Sequence, residues 1–239
     1  IGGSMQTTTA ARARALVLCV AAGAAAACGP GGERRFLSLG TGGTGGVYYP
    51  LGGALASRLS AADPHRTWTA EVTGGSVENI NRVLRGEIDI GFVIGTSAYE
   101  AYHGGPDTPV PDTRLRVVAP LYPNLTHILV PVGSAAASVE DLRGRHGSVG
   151  SGGSGTEQVA RHLLEAHGLS YPDLQPRYLS FSESTAALAD RSIDAAILSV
   201  GYPASAVLEA IASGSSRLLP MQPARVEAMA AAHAFYTPA

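Results

Sequence analysis

Apolar positions in this chain come in short runs, each closed by a glycine-rich break and followed by a stretch of helical spacing. Phe36-Leu37-Ser38-Leu39 is the first run. It leads into Gly40-Thr41-Gly42-Gly43-Thr44-Gly45-Gly46-Val47-Tyr48-Tyr49-Pro50-Leu51-Gly52-Gly53, and an Ala- and Leu-rich stretch over 54–59 follows. That order predicts strand, glycine loop, helix. Thr67-Trp68-Thr69-Ala70-Glu71-Val72-Thr73 alternates and is rich in strand formers, so a second strand is expected. Gly74-Gly75-Ser76 breaks it, and Val77, Ile80, Val83 and Leu84 then share a helical face behind Ser76 as expected N-cap. Ile88-Asp89-Ile90-Gly91-Phe92-Val93-Ile94 predicts a third strand, and Gly95-Thr96-Ser97 opens another helix. A βαβαβα order implies a mostly parallel sheet covered by helices.

A Gly-, Pro- and Asp-rich stretch over 103–113 interrupts the pattern, and the plan then repeats. Strands are expected at 125–132, 147–150, 177–181, 193–200 and 218–219. Helices are expected at 139–142 behind Ser138, at 157–167, at 183–190 behind Ser182, from Gly201-Tyr202-Pro203 to 212, and at 224–232. Strand 147–150 ends in a second glycine loop, Ser151-Gly152-Gly153-Ser154-Gly155-Thr156. Arg85-Gly86-Glu87-Ile88-Asp89-Ile90-Gly91 is echoed by Asp190-Arg191-Ser192-Ile193-Asp194-Ala195-Ala196, and both Asp are expected to be structural. The reading is α/β, with lobes over 36–124 and 125–239 and the crossing near 122–127.

Each lobe thus carries a glycine loop where a strand meets a helix N-terminus. Such loops let backbone N–H groups converge, and the helix start adds unpaired donors and partial positive charge. Ligands of open α/β sheets sit at the carboxyl ends of strands. Two facing loops predict a cleft for a small anion.

Competing chemistries find little support. Residues 40–45 match G-x-G-x-x-G, but Thr73-Gly74-Gly75 closes the second strand where a dinucleotide site needs an acidic residue. A Walker A loop needs lysine, and all 17 basic residues are Arg. Ser154 lacks the nucleophile-elbow spacing, because Thr156 stands where glycine is required, and its nearest base, His162, is expected to point away. The seven His are scattered, so no metal site is expected. Tyr48 is either a packing residue or a cleft wall whose hydroxyl meets the ligand.

Net charge is -2, which argues against a nucleic-acid footprint. From Met5, Arg12 and Arg14 precede the apolar run at 15–27 and then Cys28-Gly29-Pro30. This is the pattern of an export signal over 1–28 followed by a tether over 29–35. Ala25-Ala26-Ala27-Cys28 resembles a bacterial lipobox, which makes Cys28 the expected lipidation site and the periplasm or cell surface the expected location. Cys19 lies inside the leader, so no internal disulfide is expected in the mature chain.

Residues 40–53, Val72-Thr73-Gly74-Gly75-Ser76-Val77-Glu78-Asn79, 86–92, Asp141-Leu142-Arg143-Gly144, 149–156, 193–196 and Gly201-Tyr202-Pro203 together resemble the TAXI family of extracytoplasmic solute receptors of TRAP transporters. The resemblance implies a type II periplasmic-binding-protein fold, two α/β lobes around a hinged cleft. It implies capture of an acidic amino acid or related 2-oxo or dicarboxylic acid by a non-enzymatic, cofactor-free monomer, for a membrane permease. A ligand-sensing module serving a signalling partner is the alternative. Carried over by motif, the ligand-binding residues are Thr41, Gly42, Thr44, Tyr48, Gly75, Ser76, Ser154, Gly155, Thr156 and Tyr202. Members of the family continue past the equivalent of Ala239, so a truncated chain, lacking its return segment to the first lobe, is also expected.

Overall fold

The computed structural model describes residues 34–105 and 110–238. The leader, tether and Cys28 expectations lie outside the described residues, apart from Arg34 and Arg35 at the tether's end. The first sheet has order β2-β1-β3, all parallel, built from β1 (Arg35–Gly40), β2 (Arg66–Glu71) and β3 (Ile90–Gly91). Helices α1 (Tyr48–Ala62), α2 (Ser76–Leu84) and α3 (Gly95–His103) follow these strands in turn. Leu39, Ala56, Ile80, Ile88, Phe92 and Ala101 are its buried apolar residues.

The second sheet has order β6-β5-β7-β4-β8 and is mixed. Its strands are β4 (Leu125–Pro131), β5 (His146–Ser148), β6 (Gln175–Arg177), β7 (Ala195–Val200) and β8 (Ser216–Leu218). β5 runs parallel to β6 and β7, whereas β4 runs antiparallel to β7 and β8. Its helices are α4 (Gly155–Ala166), α5 (Phe181–Ala189), α6 (Ser205–Ala212) and α7 (Pro223–Ala232), with one-turn 3-10 helices at Val139–Leu142 and Tyr171–Asp173. β7 is buried at every position, as a strand covered on both faces must be. Ile128, Val130, Leu163, Leu164 and Ile197 form the core on one face, and Leu129, Leu188, Leu198 and Val207 that on the other. Each such side chain contributes about 1.5–3 kcal/mol by leaving water.

The repeated phrase seen in the sequence does one job twice. Asp89 Oδ2 accepts the Ser38 N–H of β1 at 2.8 Å, and Asp194 Oδ2 accepts the His146 N–H of β5 at 2.9 Å. Each carboxylate, one residue before its own strand begins, therefore pins that strand's start to a backbone donor of the neighbouring strand, mid-strand in β1 and at the first residue of β5.

Two of the three expected N-caps, Ser76 and Ser182, differ from the structure, and the helices expected from 157 and from 201–203 begin at Gly155 and Ser205. Helix α2 begins at Ser76, not after it, because Gly75 holds the cap position at φ 122°, a conformation costly for any residue with a Cβ. Helix α5 begins at Phe181 behind Ser180, not behind Ser182. Ser180 Oγ accepts the Glu183 N–H at 3.3 Å while Glu183 Oε2 accepts the Ser180 N–H at 2.8 Å, a closed capping box. The expected strand at 88–94 is regular only at Ile90–Gly91, and residues 115–124 run outside both sheets.

Candidate functional site

The carboxyl ends of both sheets face one cleft. Gly42, Gly43, Gly46, Val47 and Tyr48 line it from the first glycine loop, and Gly74, Gly75 and Ser76 from the turn before α2. Ser151, Ser154, Gly155 and Thr156 line it from the second loop, Ser180 and Phe181 from the start of α5, and Ile94, Asn124, Ser199 and Val200 complete the wall. Its empty volume is about 540 Å³, part of it open to solvent.

Four helices point their N-termini into this space: α1 at Tyr48, α2 at Ser76, α4 at Gly155 and α5 at Phe181. The first N–H groups of a helix have no acceptor within it. Some of these donors are already engaged. Ser154 Oγ, for example, accepts the Glu157 N–H at 3.2 Å. Helix geometry leaves the N–H groups of Ser76, Gly155, Thr156 and Phe181 beside the cleft without a helical partner.

The two lobes cap each other's helices. Gly153 O, in the second loop, accepts the N–H groups of Val77 and Glu78 at 3.1 Å each, in the first turn of α2. Gly45 O, in the first loop, accepts the Ala206 N–H at 3.3 Å and the Ser205 hydroxyl at 3.2 Å, at the start of α6. A third bridge joins α3 to α4, where Ser97 Oγ donates to Gln158 Oε1 and Gln158 Nε2 donates to Glu100 Oε2 at 2.9 Å. The walls approach closely beneath these bridges: a Cβ on Gly155 would lie 2.2 Å from Ile94 Cγ2 and 2.8 Å from Ser76 Oγ.

Tyr48 is the cleft's main ring. It stacks on Phe92 with centroids 5.3 Å apart and leans on Tyr122 at 6.3 Å. Burial holds its pKa above the usual phenol value, against the lowering influence of the neighbouring Asn124 and Ser76 side chains. Ser76 Oγ accepts the Ile94 N–H at 3.0 Å, so its hydroxyl ties the start of α2 to the residue that precedes α3.

Of the residues expected from sequence, Gly42, Tyr48, Gly75, Ser76, Ser154, Gly155 and Thr156 are brought together here. Three lie elsewhere. Thr41 is wholly buried behind the loop, its hydroxyl donating to Glu71 O at 2.6 Å and its carbonyl accepting from Thr73 Oγ1 and Asn79 Nδ2. Thr44 is exposed on the crest of its loop. Tyr202 is 71% exposed in the turn after β7. Ser76 does not cap α2 with its side chain. Asn124, Ser151, Ser180 and Ser199 were missed. Ser180 had a readable signal, the Ser-x-x-Glu box with Glu183, whereas Asn124 and Ser199 reach the cleft only through the tertiary fold.

Ser154 and His162 form no nucleophile–base pair. Ser154 Oγ caps α4, while His162 presents Nδ1 to the Tyr236 hydroxyl at 2.9 Å and Nε2 to Glu100 at 3.5 Å. Among the described residues no three His, Cys, Asp or Glu side chains group as a metal site.

A family model described as the NMT1-like family matches residues 39–239. The chain belongs to the NMT1-like family. Among solved structures, this NMT1-like chain is similar to the alkanesulfonate-binding protein SsuA from Xanthomonas axonopodis pv. citri bound to MOPS. The identity is 25%, over 79% of this chain and 61% of that one, with a TM-score of 0.55. It is also similar to an ancestral arginine-binding protein bound to arginine (17% identity, 78% and 80% coverage, TM-score 0.52). A third similar structure is the Synechocystis CcmR regulatory domain in complex with 2-PG (16%, 78% and 81%, 0.52). The NMT1-like chain thus has the periplasmic-binding-protein fold, and it spans about 61% of the length of that sulfonate-binding protein.

Proposed function

We propose that this chain is an exported solute-binding protein that captures a small carboxylate and delivers it unchanged to a TRAP-type membrane permease. The ligand is one of the acidic amino acids or the related 2-oxo or dicarboxylic acids. Residues 36–124 and 125–239 act as the two lobes, and Gly42, Tyr48, Gly75, Ser76, Ser154, Gly155 and Thr156 act as ligand contacts, joined by Asn124 and Ser180. Export and the lipid anchor at Cys28 rest on the leader pattern, and the permease class on the motif resemblance.

The observation that carries the reading is the convergence of four helix N-termini and a ring of hydroxyls on one cleft between two sheets. Each helix start stabilises an anion by about 0.3–1 kcal/mol when exposed and by up to about 2 when partly buried. Added to several hydrogen bonds in a closed cleft, that is enough for micromolar affinity, about -8 kcal/mol. Two of the similar structures are solute-binding proteins, and among the described residues Ser154 Oγ caps α4 while His162 is engaged by Tyr236 and Glu100.

Isothermal titration of the purified mature chain with glutamate, glutamine, 2-oxoglutarate and short dicarboxylates tests the proposal. Saturable micromolar binding of one of them is expected. Silence across the panel from folded protein contradicts it.

A further inference from the structure

The residues lining the cleft are all uncharged. The carboxylates nearest the loops are turned to backbone donors instead. Glu78 Oε2 accepts the Gly74 N–H at 2.7 Å and pairs with Arg82, and Glu157 Oε2 accepts the Gly153 N–H at 3.2 Å and pairs with Arg161. Glu100 lies behind the cleft, bound to Gln158 and His162. The cleft is therefore surrounded by donors, four helix starts and the hydroxyls of Tyr48, Ser76 and Ser180, and offers no carboxylate to a cation.

Resting on the proposed solute-binding role, we propose that the cleft takes an organic oxyanion that carries no ammonium group, and rejects the matching amino compound. An ammonium entering it loses its hydration and meets no opposite charge. The helix N-termini that stabilise the oxyanion repel the ammonium. The carbonyl oxygens at the rim are partly engaged already, Gly153 O by Val77 and Glu78 and Ser199 O by the Thr156 hydroxyl. A 2-oxo acid keeps the oxyanion and replaces the ammonium by a neutral acceptor, which the hydroxyls can serve. A sulfonate head presents the same chemistry, so the head group itself is left to the experiment.

Calorimetric titration with two matched pairs tests this: 2-oxoglutarate against glutamate, and ethanesulfonate against taurine. In every pair that binds, the amino member binds at least tenfold more weakly. Asn124→Asp places a carboxylate of the same shape on the cleft wall and lowers that ratio at least threefold, with circular dichroism confirming the fold. An amino member that binds as tightly as its partner overturns the inference and leaves the capture of solute standing. An unchanged ratio in Asn124→Asp also overturns it. No binding by any of the four compounds to folded protein overturns the inference, and silence of glutamine and the short dicarboxylates as well overturns the solute-binding role with it.

Discussion

The backbone carbonyl of Gly153 lies 3.1 Å from the amide nitrogen of Val77 in the opposite lobe and accepts its N–H. Gly45 does the same for Ala206 in the other direction. Each glycine loop therefore serves as the missing cap of a helix across the cleft. Helix N-termini left open to water lose little, because water replaces the carbonyl as acceptor. Closing and opening can thus exchange one set of bonds for another at small net cost, which is what a capture protein requires.

The closeness of that contact makes Gly155 a sensitive position. Gly155→Ala brings a methyl group into Ile94 and Ser76, at 2.2 and 2.8 Å from their side-chain atoms. The expected result is at least tenfold weaker ligand binding by titration calorimetry and a larger radius of gyration by small-angle scattering. Alanine is otherwise a better helix residue than glycine, so the thermal midpoint falls little. Unchanged affinity and radius contradict a closed, touching pair of loops.

Asn79 is the structural keystone of the first lobe. It is fully buried, and its Nδ2 donates to Thr41 O at 2.7 Å and Phe92 O at 2.8 Å, fastening the first glycine loop to the end of β3. Asn79→Ala leaves both carbonyls without that donor and is expected to cost about 2–4 kcal/mol. Urea unfolding measures this, and a loss under about 1 kcal/mol contradicts the assignment.

Much of this architecture could be read from the chain. The glycine loops, the strand–loop–helix order and the echo of Asp89 in Asp194 are local patterns, and they place the two sheets and most of the cleft. Thr41 and Thr44 mark the limit. The same loop buries one hydroxyl against Glu71 and leaves the other on its crest, a difference set by how the loop lies on β2 and invisible in a Gly-Thr-Gly pattern. The Ser180 cap was legible in its Ser-x-x-Glu spacing to Glu183, a box that Ser182 as cap does not make. Ser199 and Asn124 carry no local mark, because one is simply a residue of a buried strand and the other lies in an irregular crossing.

The alkaline limb of stability reports the buried phenols. Burial raises the pKa values of Tyr48, Tyr122, Tyr171 and Tyr236 above 10.0. Above that pH the unfolded chain has released these protons and the folded chain has not, so stability falls as pH rises; below it the contribution is fully present. The chain has no lysine, so no lysine titration overlays the effect. Thermal midpoints are expected to change little below about pH 9 and to decline above about pH 10. Tyr48→Phe reduces the decline, and a midpoint flat to pH 11 contradicts these burials.

The central claim is that both glycine loops grip one anion at the helix starts. A crystal structure of the chain with its tightest-binding carboxylate or sulfonate tests that directly. The expected result is an oxyanion within hydrogen-bond distance of the Gly155 and Thr156 N–H groups and of the Tyr48 or Ser76 hydroxyl, with the Gly153–Val77 contact intact. A ligand seated outside the cleft, or held by one lobe alone with the loops apart, contradicts the account.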